Sequence, residues 1–123
     1  MATLNDRVFD NGLTVLDTEA NAIHITSQEA TDYTDATSTS SLGSSSSVSV
    51  DAPADRAGGG RKVSVAAISD GAVNGTGTAT HYAIVDTVNS RLLVTGSLTA
   101  SQSVTSGNTF TLASFDIGIP DPA

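Results

Sequence analysis

The chain has 123 residues, which suffices for one domain, and its thirteen acidic and five basic residues give a net charge of −8. This charge disfavours binding to nucleic acid or to an anionic membrane, because displacing counterions from phosphates requires clustered cations. The absence of cysteine excludes a disulfide scaffold, a thiolate metal site and a thiol nucleophile. We therefore expect a single domain, residues 1–123, with no nucleic-acid or membrane partner.

Apolar side chains are scarce for a globular domain. They make up 38% of the chain, against a usual fraction of about 45–50%. The chain has no tryptophan and only five aromatic rings, so the core must be built mainly from Val, Ile, Leu and Ala. We infer that a neighbouring subunit completes part of the apolar surface.

Residues 1–20 form the N-terminal segment, for which two local structures compete. A helix is favoured by apolar residues that recur along one stripe, namely Phe9, Leu13, Leu16 and Ala20. A hairpin is favoured by Asp10-Asn11-Gly12, a sequence typical of a type I′ turn. We prefer the helix, because a glycine inside a helix costs only about 1 kcal/mol, and the hairpin stays open.

The next segments alternate between strand-like and polar sequence. Residues 22–26 predict a short strand with Ile23 and Ile25 on one face and His24 on a polar face. Residues 27–36 predict a surface loop anchored by Tyr33. The Ser/Thr-rich run 37–47 is typical of a flexible linker, although the alternating residues 48–50 indicate that it enters a strand. Residues 51–60, with Pro53 and three glycines, predict an exposed loop.

The main body of the chain, from residue 62 onward, predicts short strands separated by turns. Val, Ile, Thr and Phe are frequent, and clusters of Gly, Asn, Asp and Ser interrupt them, a pattern typical of antiparallel sandwiches and barrels. The predicted strands are 62–68, 81–86, 91–96, 97–104 and 109–119, and the predicted turns are 69–71, 88–90 and 106–108. The fold class expected for residues 21–123 is therefore all-β, an antiparallel β-sandwich or barrel that follows a short N-terminal helix.

Two of these strands change phase. Val63 and Val65 share one parity whereas Ala66 and Ile68 share the other, which predicts a bulge or a strand covered on both sides. In the last strand Phe110 and Leu112 are out of phase with Phe115 and the isoleucines that follow it. One extra residue near position 113 or 114 restores a common face, so we predict a bulge there.

No motif in the chain points to catalysis. Serines are abundant but never occur as Gly-x-Ser-x-Gly, and His24 and His81 lack the context of a base or a metal ligand. We expect no enzyme activity, no catalytic residues, no metal site and no cofactor. A sugar-binding platform is also disfavoured, since at least three of the five rings are assigned to the core.

Four segments together resemble a known family. They are Ile23 to Glu29, Gly60 to Val65, Gly77 to Asp86 and Val104 to Phe110. The chain resembles a family of small structural proteins of tailed bacteriophages, about 120 residues long, in which a short N-terminal helix precedes an all-β body. These are packing and turn motifs, and the Ser/Thr-rich run 37–47 departs from the family pattern.

The resemblance implies a structural protein of the virion. The favoured role is a capsid decoration, or cement, protein on the capsid exterior, which binds the major capsid protein as a homotrimer and stabilises the shell. Leu4, Val8 and Phe9 are the candidate contacts with the capsid, although this segment could equally cap the sandwich. The alternatives are a tail, collar or fibre component, or a carbohydrate- or receptor-binding module.

Overall fold

The computed structural model describes residues 6–46 and 48–119. These residues form one α-helix, a single turn of π-helix at Asp35–Thr39 and nine strands. The elements are α1 (Asp6–Glu19), β1 (Ala22–Thr26), β2 (Ser41–Ser45), β3 (Ala54–Asp55), β4 (Arg61–Val65), β5 (Ile68–Val73), β6 (Gly77–Asp86), β7 (Arg91–Val104), β8 (Thr109–Leu112) and β9 (Phe115–Ile119).

The strands form two antiparallel sheets of unequal size. The larger sheet has six strands in the order β7-β6-β1-β2-β5-β8, and the smaller has three in the order β3-β4-β9. One face of the larger sheet packs against the smaller sheet, and their side chains share a core that includes Ile23, Ile25, Val65, Ile84 and Phe110. The expected all-β class is confirmed, and of the two architectures expected the sandwich is the one observed, because the sheets do not close into a barrel.

A bent two-stranded ribbon joins the two sheets. Val65 pairs with Phe115 in the smaller sheet, and Ile68 pairs with Leu112 in the larger one. Both strands of the ribbon therefore change sheet at the same level, through residues 66–67 and 113–114. Corners at which strands pass from one sheet to the other are a known way to build packed sheets.

This ribbon corrects two sequence-based predictions. The expected strands 62–68 and 109–119 are each divided in two, and the phase changes mark a change of sheet instead of a bulge in a continuous strand. The predicted turn at residues 69–71 is also wrong, because these residues lie inside β5. The two predicted strands 91–96 and 97–104 are one strand, β7, whereas the turns at 88–90 and 106–108 are confirmed.

Asp6–Glu19 of the N-terminal segment is helical, so the helix is correct and the hairpin is not. Leu13 and Leu16 are buried against Val63 of the smaller sheet, and Leu93 of β7 packs against the same cluster. The helix therefore fills part of the space between the sheets. This position explains why the spacing of apolar residues outweighs the local turn preference of residues 10–12, since burial of one helical face stabilises the helix.

The Ser/Thr-rich run supplies a central strand. β2 lies between β1 and β5, earlier in the chain than the strand expected near residue 48. Gly43 of β2 faces Ala72 so closely that a methyl group at Gly43 would lie 2.5 Å from the carbonyl oxygen of Ala72. Small side chains are therefore needed here, because the neighbouring backbone leaves no room for a larger one.

The second face of the larger sheet is covered by residues 30–39. Ala30 and Ala36 are buried against Ala22 and Val85, and Tyr33 packs on this cluster as expected for the anchor of its segment. His24 lies on this face and is only 9% exposed. His24 therefore lies opposite Ile23 and Ile25, as predicted, and it is buried because the segment 30–39 covers this face.

The predicted loop 51–60 is mostly exposed, but Ala54 and Asp55 form the short edge strand β3 against Lys62 and Arg61. Gly58, Gly59 and Gly60 all have positive φ values, which other residues adopt with strain. These glycines turn the chain back into β4.

The close approach of β2 and β5 makes Gly43 sensitive to substitution. We expect Gly43→Ala to lower the free energy of unfolding by about 1–3 kcal/mol, because the added methyl group overlaps the backbone of β5. Gly75→Ala is the matched control, since its methyl group would meet only ordinary contacts, the nearest at 3.6 Å from Leu42. Urea unfolding followed by circular dichroism measures both, and equal stability of the two variants would contradict the assigned strand pairing.

Candidate binding cleft

An open cleft of about 420 Å³ lies between the two sheets, beside the bent ribbon. Its walls come from β6, β7, the end of β8, the link 113–114 and the start of β9. The lining residues are Tyr82, Ser97, Leu98, Ala100, Gln102, Leu112, Ala113, Ser114, Phe115 and Asp116. Further along β7 and β9, α1 fills the corresponding space with Leu13 and Leu16, which pack near Val94 and Ile117. The cleft is therefore the part of the interlayer space that the helix does not fill.

Two aromatic rings form the apolar wall of the cleft. The ring centroids of Tyr82 and Phe115 are 4.5 Å apart, with an interplanar angle of 42°. Both rings are partly buried against the core. Because one ring belongs to each sheet, their contact joins the sheets at the cleft and leaves part of each ring available from it.

A glycine positions the tyrosine ring. Tyr82 pairs with Gly96 across β6 and β7, and a methyl group at Gly96 would lie 2.5 Å from the Tyr82 hydroxyl oxygen. The ring therefore lies over the bare backbone of Gly96. An aromatic ring over a glycine on the neighbouring strand compensates for the missing side chain and fixes the orientation of the ring.

An irregularity in β7 builds the opposite wall. The pairs Ala79–Gln102 and His81–Ser97 are separated by one residue on β6 but by residues 98–101 on β7. The register of the pairing therefore shifts within β7, and Leu98 and Ala100 of this stretch line the cleft. Bulges of this kind redirect side chains and are common next to binding sites.

The polar groups of the cleft are few and varied. The Gln102 side-chain amide donates to the carbonyl oxygen of Thr111 at 3.1 Å, and its side-chain oxygen is an acceptor. Burial raises the pKa of the Tyr82 hydroxyl, which therefore stays protonated and can donate. Hydrogen bonds from the Ser64 hydroxyl (2.7 Å) and from the Lys62 ammonium (3.0 Å) lower the pKa of Asp116. This carboxylate is therefore ionised near neutral pH, and it lies with Ser64 and Lys62 on the face of β9 opposite Phe115.

Carboxylates elsewhere stabilise local turns. Hydrogen bonds from the Ser40 hydroxyl and the Thr31 amide lower the pKa of Asp35 and close the segment that covers the second face. Hydrogen bonds from Asn89 and Val88 lower the pKa of Asp86 at the β6–β7 turn. Both carboxylates accept several bonds from their own turns, so we assign them a role in turn structure.

The structure does not test the candidate contacts chosen from the sequence. Leu4 lies outside the described residues, and Val8 and Phe9 belong to α1 but their side chains lie outside the described part of the structure. The cleft was missed by sequence reasoning, which assigned too few rings to a surface platform. The β6–β7 hairpin was a signal for the cleft, because its turn at residues 87–90 brings Tyr82 opposite Gly96. The register shifts between β6 and β7 prevent this pairing from being counted along the sequence.

Comparison of the chain with protein-family models, with curated proteins and with solved structures found no match. No helix within residues 6–46 and 48–119 is both long and apolar enough to cross a membrane. Among the side chains described, no three His, Asp or Glu residues lie close enough together to hold a metal ion.

The buried His24 predicts a pH dependence of stability. Its Nδ1 atom lies 2.9 Å from the Ser41 hydroxyl, and burial lowers its pKa below the ordinary 6.5. The unfolded chain therefore takes up a proton at a higher pH than the folded chain does, so the free energy of unfolding falls as the pH drops from 6.5 toward the folded pKa. Urea unfolding at about pH 7 and about pH 5 measures this fall.

We expect His24→Asn to reduce the difference in stability between the two pH values. Thr78→Asn is the matched control, because Thr78 is an exposed residue of the adjacent strand β6 and has no titratable group; this variant should keep the wild-type difference. An unchanged difference in the His24 variant would contradict the assignment.

Proposed function

We propose that the protein is a structural protein of a tailed-bacteriophage virion that decorates the capsid exterior. In this role it binds the outer surface of the major capsid protein as a homotrimer and stabilises the assembled shell. Two lines of argument support the proposal. One is the resemblance of four segments to small virion proteins, and the other is the character of the edges of the larger sheet.

The edges of the larger sheet carry the proposal. Among the strands described, β7 and β8 are outermost and each has one neighbour. Residues 92–115 include all of β8 and all of β7 except its first residue, Arg91. This stretch holds no charged residue and no proline, in a chain with a net charge of −8. Monomeric sheet proteins usually protect their edges with charge or proline. Uncharged edges on an otherwise acidic protein favour strand pairing with another chain.

The geometry of such pairing is compatible with a ring. Joining β7 of one subunit to β8 of the next uses two different surfaces, and contacts between different surfaces form a closed ring when the rotation between subunits closes. A shared β-framework also supplies the apolar contact that a chain with 38% apolar residues lacks. Binding that occurs only with the assembled shell stabilises that shell by mass action.

Copy number distinguishes the decoration role from a tail, collar or fibre role. We expect quantitative mass spectrometry of purified virions to find on the order of hundreds of copies per particle, because a decoration protein follows the symmetry of the whole shell. The major capsid protein in the same sample is the internal reference. A dozen copies or fewer would assign the protein to the tail or collar, and absence from the particles would overturn the proposal.

The edge argument predicts the effect of a new charge. We expect the purified protein to be a trimer by size-exclusion chromatography with light scattering. Thr109→Lys places a charge on the exposed side of edge strand β8 and should weaken association about tenfold, since the charge must lose water when strands pair. Thr78→Lys is the matched control, because Thr78 is also exposed but lies on the inner strand β6. A monomeric wild type, or equal effects of the two variants, would contradict edge pairing.

A further inference from the structure

We propose that the cleft between the sheets binds a neutral sugar ring, a single pyranose unit of a larger glycan. The proposal stands on the lining residues and does not depend on the role in the virion. Three properties of the cleft select this ligand class, namely its size, its aromatic wall and the kinds of polar group at its rim.

The size of the cleft fits a small ligand. Its volume of about 420 Å³ lies within the range of about 300–1,000 Å³ typical of small-molecule sites. The cleft is open to solvent along the bent ribbon, so a sugar within a longer chain can enter without threading. Exposed Ala100 and Ala113 on its rim leave room for neighbouring units.

The aromatic wall fits the apolar face of a pyranose. Tyr82 and Phe115 are both partly exposed to the cleft, and the contact between them holds both rings in place. Aromatic faces carry partial negative charge, which attracts the slightly positive C–H groups of a sugar ring. The ring of Tyr82 cannot move down toward the sheet, because it already lies over Gly96. A rigid platform loses little conformational entropy on binding.

The polar rim fits hydroxyl groups. The hydroxyls of Tyr82, Ser97 and Ser114 can donate or accept, and the side-chain oxygen of Gln102 can accept. Asp116 lines the cleft at the start of β9, but its carboxylate lies on the opposite face of that strand, where it accepts from Ser64 and pairs with Lys62. No residue of the lining carries a positive charge that could pair with an anionic ligand. A neutral, hydroxyl-rich ligand is therefore favoured over a sulfated, sialylated or phosphorylated one.

The test is a titration of ¹⁵N-labelled protein followed by amide chemical shifts. The probes are maltotriose, cellotriose, mannotriose and N,N′-diacetylchitobiose, with 3′-sialyllactose as the anionic comparison. We expect at least one neutral probe to shift the amides of residues 97–102 and 113–116, and the anionic probe to bind more weakly. No shift with any neutral probe, or tighter binding of the anionic probe, would overturn the proposal.

Each of two variants tests whether the ligand binds in the cleft, and each is paired with a control that changes a similar side chain elsewhere. Phe115→Leu removes one ring and keeps apolar volume, so affinity should fall about tenfold. Tyr33→Leu is the matched control, because it removes a half-buried ring on the opposite face of the larger sheet, and its affinity should be unchanged.

Ala113→Leu narrows the cleft from an exposed position and should abolish the shifts, whereas Ala52→Leu in the exposed loop should not.

A peptide with the sequence of residues 118–123 tests the other ligand class that aromatic clefts accept, a proline-containing segment. If that peptide shifts the same amides and no sugar does, the assignment to sugars is wrong.

Discussion

The bent ribbon is the constraint on which the other features of this protein depend. Two strands that pair along their length change sheet at the same level, between Val65 and Ile68 on one side and between Leu112 and Phe115 on the other. Because they bend together, hydrogen bonding resumes directly on both sides of the corner. The smaller sheet is thereby held over one part of the larger sheet and cannot slide.

Unequal sheet size follows from this arrangement and shapes the surface of the protein. Three strands cannot cover the face of a six-stranded sheet, so α1 covers one remaining part and the cleft occupies another. Tyr82 and Phe115 contact each other at the cleft. The same larger sheet ends in β7 on one side and in β8 on the other.

Much of this fold could be predicted from the sequence, where the signal is local. The period of Leu13 and Leu16 indicated the helix, β1 was placed at residues 22–26 as observed, and the turn at 88–90 followed from its residue types. The phase changes near residues 66 and 113 were also visible. Their meaning was not, because a change of parity looks alike in a bulged strand and in a strand that changes sheet, and only the partner strand distinguishes them.

The remaining features depend on contacts between distant residues. The serine-rich residues 41–45 carry no strand signal of their own. They form β2 because β1 and β5 both pair with them, and because Gly43 permits the close approach of β5. His24 could not be recognised as buried, since the segment that covers it is held by Asp35 and Ser40. The cleft likewise requires Tyr82 and Phe115 from separate sheets.

The bent ribbon also has a consequence for how the chain folds. Lys62 and Asp116, which meet across β4 and β9, are 54 positions apart in sequence. Closing such a large loop costs entropy before any contact compensates for it, and proteins dominated by distant pairings fold slowly. During synthesis β4 and β9 cannot pair until β9 has left the ribosome, and until then the apolar side of the larger sheet stays exposed to chaperones or to other nascent chains.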